Sequence, residues 1–88
     1  MKCQLVGFVR RDFEKNGVAN ALVELHLVRS PFSTEKGFNG HVTKKYVVFG
    51  LDACNDLPKL IVGENYSVET QVSGQYENIA DMVLLPKS

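Results

Sequence analysis

The stretch that most constrains this chain is Tyr66-Ser67-Val68-Glu69-Thr70-Gln71-Val72, where apolar or β-branched side chains alternate strictly with polar ones. Successive side chains of an extended strand point to opposite faces of a sheet. This pattern therefore turns Tyr66, Val68, Thr70 and Val72 toward a core and Ser67, Glu69, Gln71 and Ser73 toward water. The short apolar run Leu60-Ile61-Val62 leads in through Gly63, whose backbone freedom allows a sharp entry, and positions 60–72 with Gly63 excluded read as one strand. One amphipathic strand is not stable by itself, so the other residues must supply partner strands and a second apolar layer.

Partners are legible on both sides of it. Lys2 to Phe13 is a long β-rich stretch, with Gly7 at a point where a missing Cβ permits a bulge, and with Phe8 and Arg10 on a shared face. Asn16-Gly17 is a strong hairpin signal, because both central positions of a tight turn favour positive φ. Ala19 to Arg29 follows as the second strand, with Ala21, Val23, Leu25 and Leu27 on its core face, and Ser30-Pro31 ends it. Lys44 to Leu51 is nearly continuous in apolar residues after a basic start, as in a strand buried on much of both faces. Between Leu51 and Leu60 there is room for no more than one short helix. Ser73-Gly74-Gln75 is a tight turn into a last strand, Tyr76 to Leu85, which points either Ile79, Val83 and Leu85 or Ala80, Met82 and Leu84 inward before Pro86 stops it.

The spacing of these signals, about every eight to twelve residues, predicts an all-β domain spanning residues 1–88. Its architecture is a small five-stranded antiparallel barrel, OB-like, with an SH3-like barrel as the alternative, since a sandwich usually needs about 100 residues and seven strands. Val23, Leu25, Leu27, Tyr66, Val68 and Val72 are the expected core.

Several function classes are disfavoured. His26 and His41 lie fifteen positions apart with no cysteine or carboxylate cluster at ligand spacing, and Cys3 and Cys54 are fifty-one apart, so neither a metal centre nor a redox pair is expected. No glycine-rich loop opens a helix to cradle a phosphate. The expectation is a non-enzyme without cofactor. With no apolar run near membrane-spanning length and no secretory leader pattern, the expected location is cytoplasmic, without a membrane partner.

What remains is an interleaving of aromatic and basic residues. Positions 1–45 carry eight basic against four acidic side chains, and positions 46–88 carry two against six, so a neutral chain has a basic half. The longest irregular stretch, Pro31 to Val42, holds Phe32, Lys36, Phe38 and His41, and loops of that length in small domains are commonly functional. With Phe8 and Arg10 on the first strand and Lys44, Lys45 and Tyr46 at the start of the third, these nine residues form a candidate nucleic-acid-binding set. Aromatic faces stack on any base while Lys and Arg neutralise phosphates.

The closing segment Met82-Val83-Leu84-Leu85-Pro86-Lys87-Ser88 and the run Gly63-Glu64-Asn65-Tyr66-Ser67-Val68 resemble the small OB-fold single-stranded-DNA-binding proteins of filamentous phages and related mobile elements. The layout of most of the chain is similar to theirs. The resemblance implies sequence-tolerant binding of single-stranded DNA in phage or plasmid replication. It also implies that the hairpin between strands two and three, with Phe32, Lys36, Phe38 and His41, is a DNA-binding wing. A second copy of the chain is a further implied partner, although the family's long loop between strands four and five, which helps form its dimer, is here only Ser73-Gly74-Gln75. The alternative from another class is a protein-interaction module, or accessory subunit, that docks by a strand edge or by the 31–42 loop.

Overall fold

The computed structural model describes residues 1–30 and 35–86. Five strands, β1 (Lys2–Lys15), β2 (Val18–Arg29), β3 (Val42–Phe49), β4 (Asn65–Ser73) and β5 (Tyr76–Leu84), form one antiparallel sheet in the order β3-β2-β1-β4-β5. A single helical turn, α1 (Leu51–Asn55), lies between β3 and β4. The all-β expectation and the single short helix are met, but closure into a barrel is not. Among the described residues no ladder joins β3 to β5. The two edge strands come near each other, and side chains span the gap where a ladder would run: the Tyr46 hydroxyl donates to Glu77 at 2.9 Å and Lys44 Nζ lies 3.1 Å from the same carboxylate oxygen. No helix among the described residues is long and apolar enough to cross a membrane.

The turns follow from the sequence. Lys15 pairs with Val18 around Asn16 and Gly17, whose φ angles of 54° and 76° are those of the tight hairpin turn that suits twisted strands. Gly74 makes the β4–β5 turn with φ of 63°. Two bulges then decide which side chains face which way. Leu5 pairs with Leu27 but Gly7 with His26, leaving Val6 as an extra residue, and Glu69 pairs with Asp81 but Thr70 with Ile79, leaving Ala80 extra. Each extra residue shifts the alternation by one. On β1 the inner face is therefore Cys3 and Leu5, then Phe8, Arg10 and Asp12. On β5 it is Ile79, then Met82 and Leu84, a mixture of the two sets that uninterrupted alternation allows.

The core occupies the inner face. Leu5, Val23, Leu25, Leu27, Tyr66 and Val68 are fully buried, joined by Cys3, Ala21, Tyr46, Cys54 and Met82. Over them lie α1 and the segment to Glu64. Gly50, at φ 112°, turns the chain off β3, and Cys54 caps the core while its thiol donates to the Val48 carbonyl at 3.5 Å. The Tyr66 hydroxyl fixes the remainder of the cover by donating to the Lys59 carbonyl at 2.6 Å and accepting from the Ile61 N–H at 2.9 Å. That pinning explains why Leu60-Ile61-Val62 is not part of the fourth strand: its backbone is held to Tyr66 across the turn at Gly63, and β4 begins only at Asn65.

Two expectations about burial are corrected. Val72 shares the face of Tyr66 and Val68 but is 69 % exposed, because the β4–β5 hairpin runs past the end of the core, where Val72 pairs with Glu77. β3 is buried on one face, not both: Tyr46 is inside, while Val47 and Phe49 point out from the sheet's uncovered side.

Burial and exposure on one strand give a paired test. Val68→Ala should cost about 1 to 3 kcal/mol by urea denaturation, through lost apolar burial and a residual cavity. Val72→Ala should stay within about 0.5 kcal/mol, as for substitutions in water.

Candidate nucleic-acid interface

The bulge at Val6 and the parity of β3 divide the candidate residues between two faces. On the inner side, Phe8 stands opposite Leu25 and Arg10 opposite Val23. With Leu57, Pro58 and Leu60 they border a cleft of about 320 Å³ between β1 and the covering segment. The Arg10 guanidinium is already engaged, through Nε with Asp12 at 3.2 Å and through Nη2 with Asn55 at 3.0 Å, so it braces β1 against α1. Tyr46, expected at the interface, is a core residue: its ring is buried, with Lys44 Nζ 5.6 Å from its centroid and its hydroxyl bound to Glu77.

Lys44 and Lys45, expected to act together on phosphates, point to opposite faces because they are neighbours on a strand. Lys44 closes the gap between β3 and β5 through Glu77, which also accepts from Thr70 Oγ1 at 3.0 Å. Lys45 lies on the outer face, 3.6 Å from Glu24. In the loop, Lys36, Phe38 and His41 are exposed, Phe38 to 49 %, and the Phe38 N–H reaches the Glu35 carbonyl at 3.4 Å. Phe32 lies outside the described residues. The nine candidates are thus not one surface, since Phe8, Arg10, Lys44 and Tyr46 belong to the inner side.

The outer face of β1, β2 and β3 brings together residues that the nine leave out. Register places Val9, Arg11 and Phe13 beside Glu24, Leu22 and Asn20, and Glu24 and Leu22 in turn beside Val47 and Phe49 of β3. Phe13 and Phe49 meet across β2, with ring centroids 6.1 Å apart and planes at 44°, yet they stay 37 % and 58 % exposed. Two large rings in mutual contact in water, with Leu22 and Val47 beside them, form an apolar patch on a sheet side that no described element covers. Basic groups border it. Arg11 stands opposite Leu22, and Lys45 and His26 flank Glu24, whose carboxylate is held below its usual range first by the hydrogen bond from His26 (2.9 Å) and then by Lys45. A signal for Phe49 was present in the sequence: with Tyr46 on the core face, strict alternation turns Val47 and Phe49 outward. Phe13 and Arg11 depend on the bulge at Val6, which letters alone do not place.

No family model, curated protein or solved structure matches this chain.

The Glu77 cluster between the free edges sets a pH dependence. Lys44 and then Tyr46 hold the Glu77 carboxyl below its ordinary 4.5, so its contribution to stability is complete above about pH 4.5 and is lost as pH falls through the lowered value. Burial, with the Glu77 hydrogen bond second, raises the Tyr46 hydroxyl from 10.0 to about 12, so its contribution is complete below pH 10 and is lost as pH rises to about 12. Thermal melts across pH should fall off at both ends. Glu77→Gln should flatten the acid limb and leave other carboxylates to account for what remains.

Proposed function

We propose that this protein is a non-catalytic, sequence-tolerant single-stranded-nucleic-acid binder that uses the outer face of β1, β2 and β3. The observation that carries this is the Phe13–Phe49 pair, open to water beside Arg11, with Lys45 further along the same face beyond Val47. Stacking platforms bordered by cations are the means by which proteins hold single strands without reading sequence. The strand arrangement supports an OB-like layout over an SH3-like one. β1 pairs with both β2 and β4, the helix lies between β3 and β4, and the open edges are β3 and β5. In OB folds the face of strands two and three, with the loops at 1–2 and 4–5, is the oligonucleotide surface. The charge balance of the outer face is only modestly positive, because Glu24 offsets Lys45, so stacking carries more of the affinity here than phosphate neutralisation.

The two contributions separate in a titration of fluorescent oligo-dT at low and moderate salt. Phe49→Ala should cost about 1 to 3 kcal/mol per stacked base and leave the salt dependence nearly unchanged. Arg11→Ala should weaken binding alike for all sequences and lower the log–log salt slope by about 0.7 for each phosphate that is no longer neutralised. If the wild-type protein shows no binding at low salt and micromolar concentration, the outer patch is instead a protein-docking surface with Phe13 and Phe49 as anchors.

A further inference from the structure

β1 changes partners near its start. It pairs with β2 only from Gln4↔Val28 onward, while Lys2, Cys3 and Gln4 pair with Ser67, Tyr66 and Asn65 of β4. Where β1 and β2 part, a cleft of about 210 Å³ opens, walled by Lys2, Gln4, Arg29, Ser30, His41 and Asn65. Its chemistry is one-sided. Lys2 supplies an ammonium, His41 an imidazole, Asn65 a side-chain amide and Ser30 a hydroxyl, and among the described residues no carboxylate belongs to the wall. Arg29 adds a guanidinium held by Glu35, at 2.7 Å from Nη1 and 3.4 Å from Nη2, so its charge is largely matched within the protein. Gln4 is anchored by donating one amide hydrogen to the Gly63 carbonyl at 3.0 Å, which holds this wall residue in place.

We infer that this cleft is a phosphate subsite. Lys, Ser, Asn and Gln side chains around a hollow with no carboxylate in its described wall are the groups that hold phosphate oxygens, and a hydrogen bond to an ionised acceptor is the strong kind. The inference rests on the proposed outer-face reading and extends it. Lys2, Gln4, Val28 and Asn65 lie on the outer face by register, so the cleft and the Phe13–Phe49 pair mark two ends of one track along β1 and β2. At about 3.3 Å per residue, the eleven steps from Lys2 to Phe13 span roughly 35 Å. A single strand of that reach, stacked on the aromatic pair, would run past His26 and Lys45 and place a phosphodiester in the cleft.

The test uses the full chain and two probes, oligo-dT of increasing length and inorganic phosphate, with NMR signals of His41 and of the Asn65 side-chain amide as the local readout. Lys2 and His41 are exposed, so Lys2→Ala and His41→Ala leave the fold intact, and Lys2→Arg checks that charge is what matters. The expected result is a gain in affinity once the oligonucleotide spans both ends, shifts at His41 and Asn65 only for those longer strands, and loss of that gain in Lys2→Ala with retention in Lys2→Arg. In the same variant the salt slope should fall by about 0.7. Shifts with inorganic phosphate and none with any oligonucleotide would keep the cleft as a site for free phosphate and remove the phosphodiester from it. Oligonucleotide binding that depends on Phe49 but leaves His41, Asn65 and the Lys2→Ala slope unchanged would overturn the subsite while the outer-face reading stands. Silence of both residues toward both probes overturns the subsite outright.

Discussion

The Tyr66 hydroxyl is the contact on which the arrangement of this protein depends. It reaches from a fully buried ring on β4 to the backbone at Lys59 and Ile61, and so holds the segment after α1 against the sheet. Burial of such a ring contributes about 1.5 to 3 kcal/mol, and each hydrogen bond roughly 1 kcal/mol more. Without it, a helix of five residues is the only regular element among the described residues available to cover the inner face. Tyr66 also faces Cys3 across the three-residue β1–β4 ladder and Leu84 on β5, so the same side chain joins the two halves of the sheet where they are most narrowly connected.

That economy has a consequence for the other face. The covering layer is spent on one side, and the outer side of β1, β2 and β3 is left to water although it carries Val9, Leu22, Val47, Phe13 and Phe49. Exposed apolar residues scattered singly need no explanation, but two rings packed on each other beside aliphatic neighbours form a surface that water solvates poorly. The inner cations, in contrast, are committed to structure: Arg10 to Asp12 and Asn55, Lys44 to Glu77. The division of labour between faces is therefore bracing charge inside and open aromatic surface outside.

Much of this was legible in the letters. The alternation from Tyr66 to Val68, the Asn16-Gly17 turn and the core set Val23, Leu25 and Leu27 follow from elementary strand geometry, and the structure has them as read. Parity also separates Lys44 from Lys45 and turns Phe49 outward, so the opposite facing of the two lysines is carried by the sequence itself. The bulges at Val6 and Ala80 were not legible in position, because an extra residue leaves no mark on composition and each one inverts every side chain beyond it. Gly7 signalled that β1 would be irregular but not on which residue the phase would shift, and hence not that Phe13 would face out with Arg11. Val72 failed for another reason: alternation gives its face, but not where the covering layer ends.

A single strand lying on the outer face, and not in the inner cleft or on the loop, must bring its bases against Phe13 and Phe49. Ultraviolet cross-linking of the protein to oligo-dT at low salt, followed by mass spectrometry of the attached peptides, asks this directly, since thymine couples to the aromatic ring it stacks on. Adducts are expected on Phe13 and Phe49. Adducts confined to Phe8 or Phe38, with Phe13 and Phe49 unmodified, would contradict the outer-face placement.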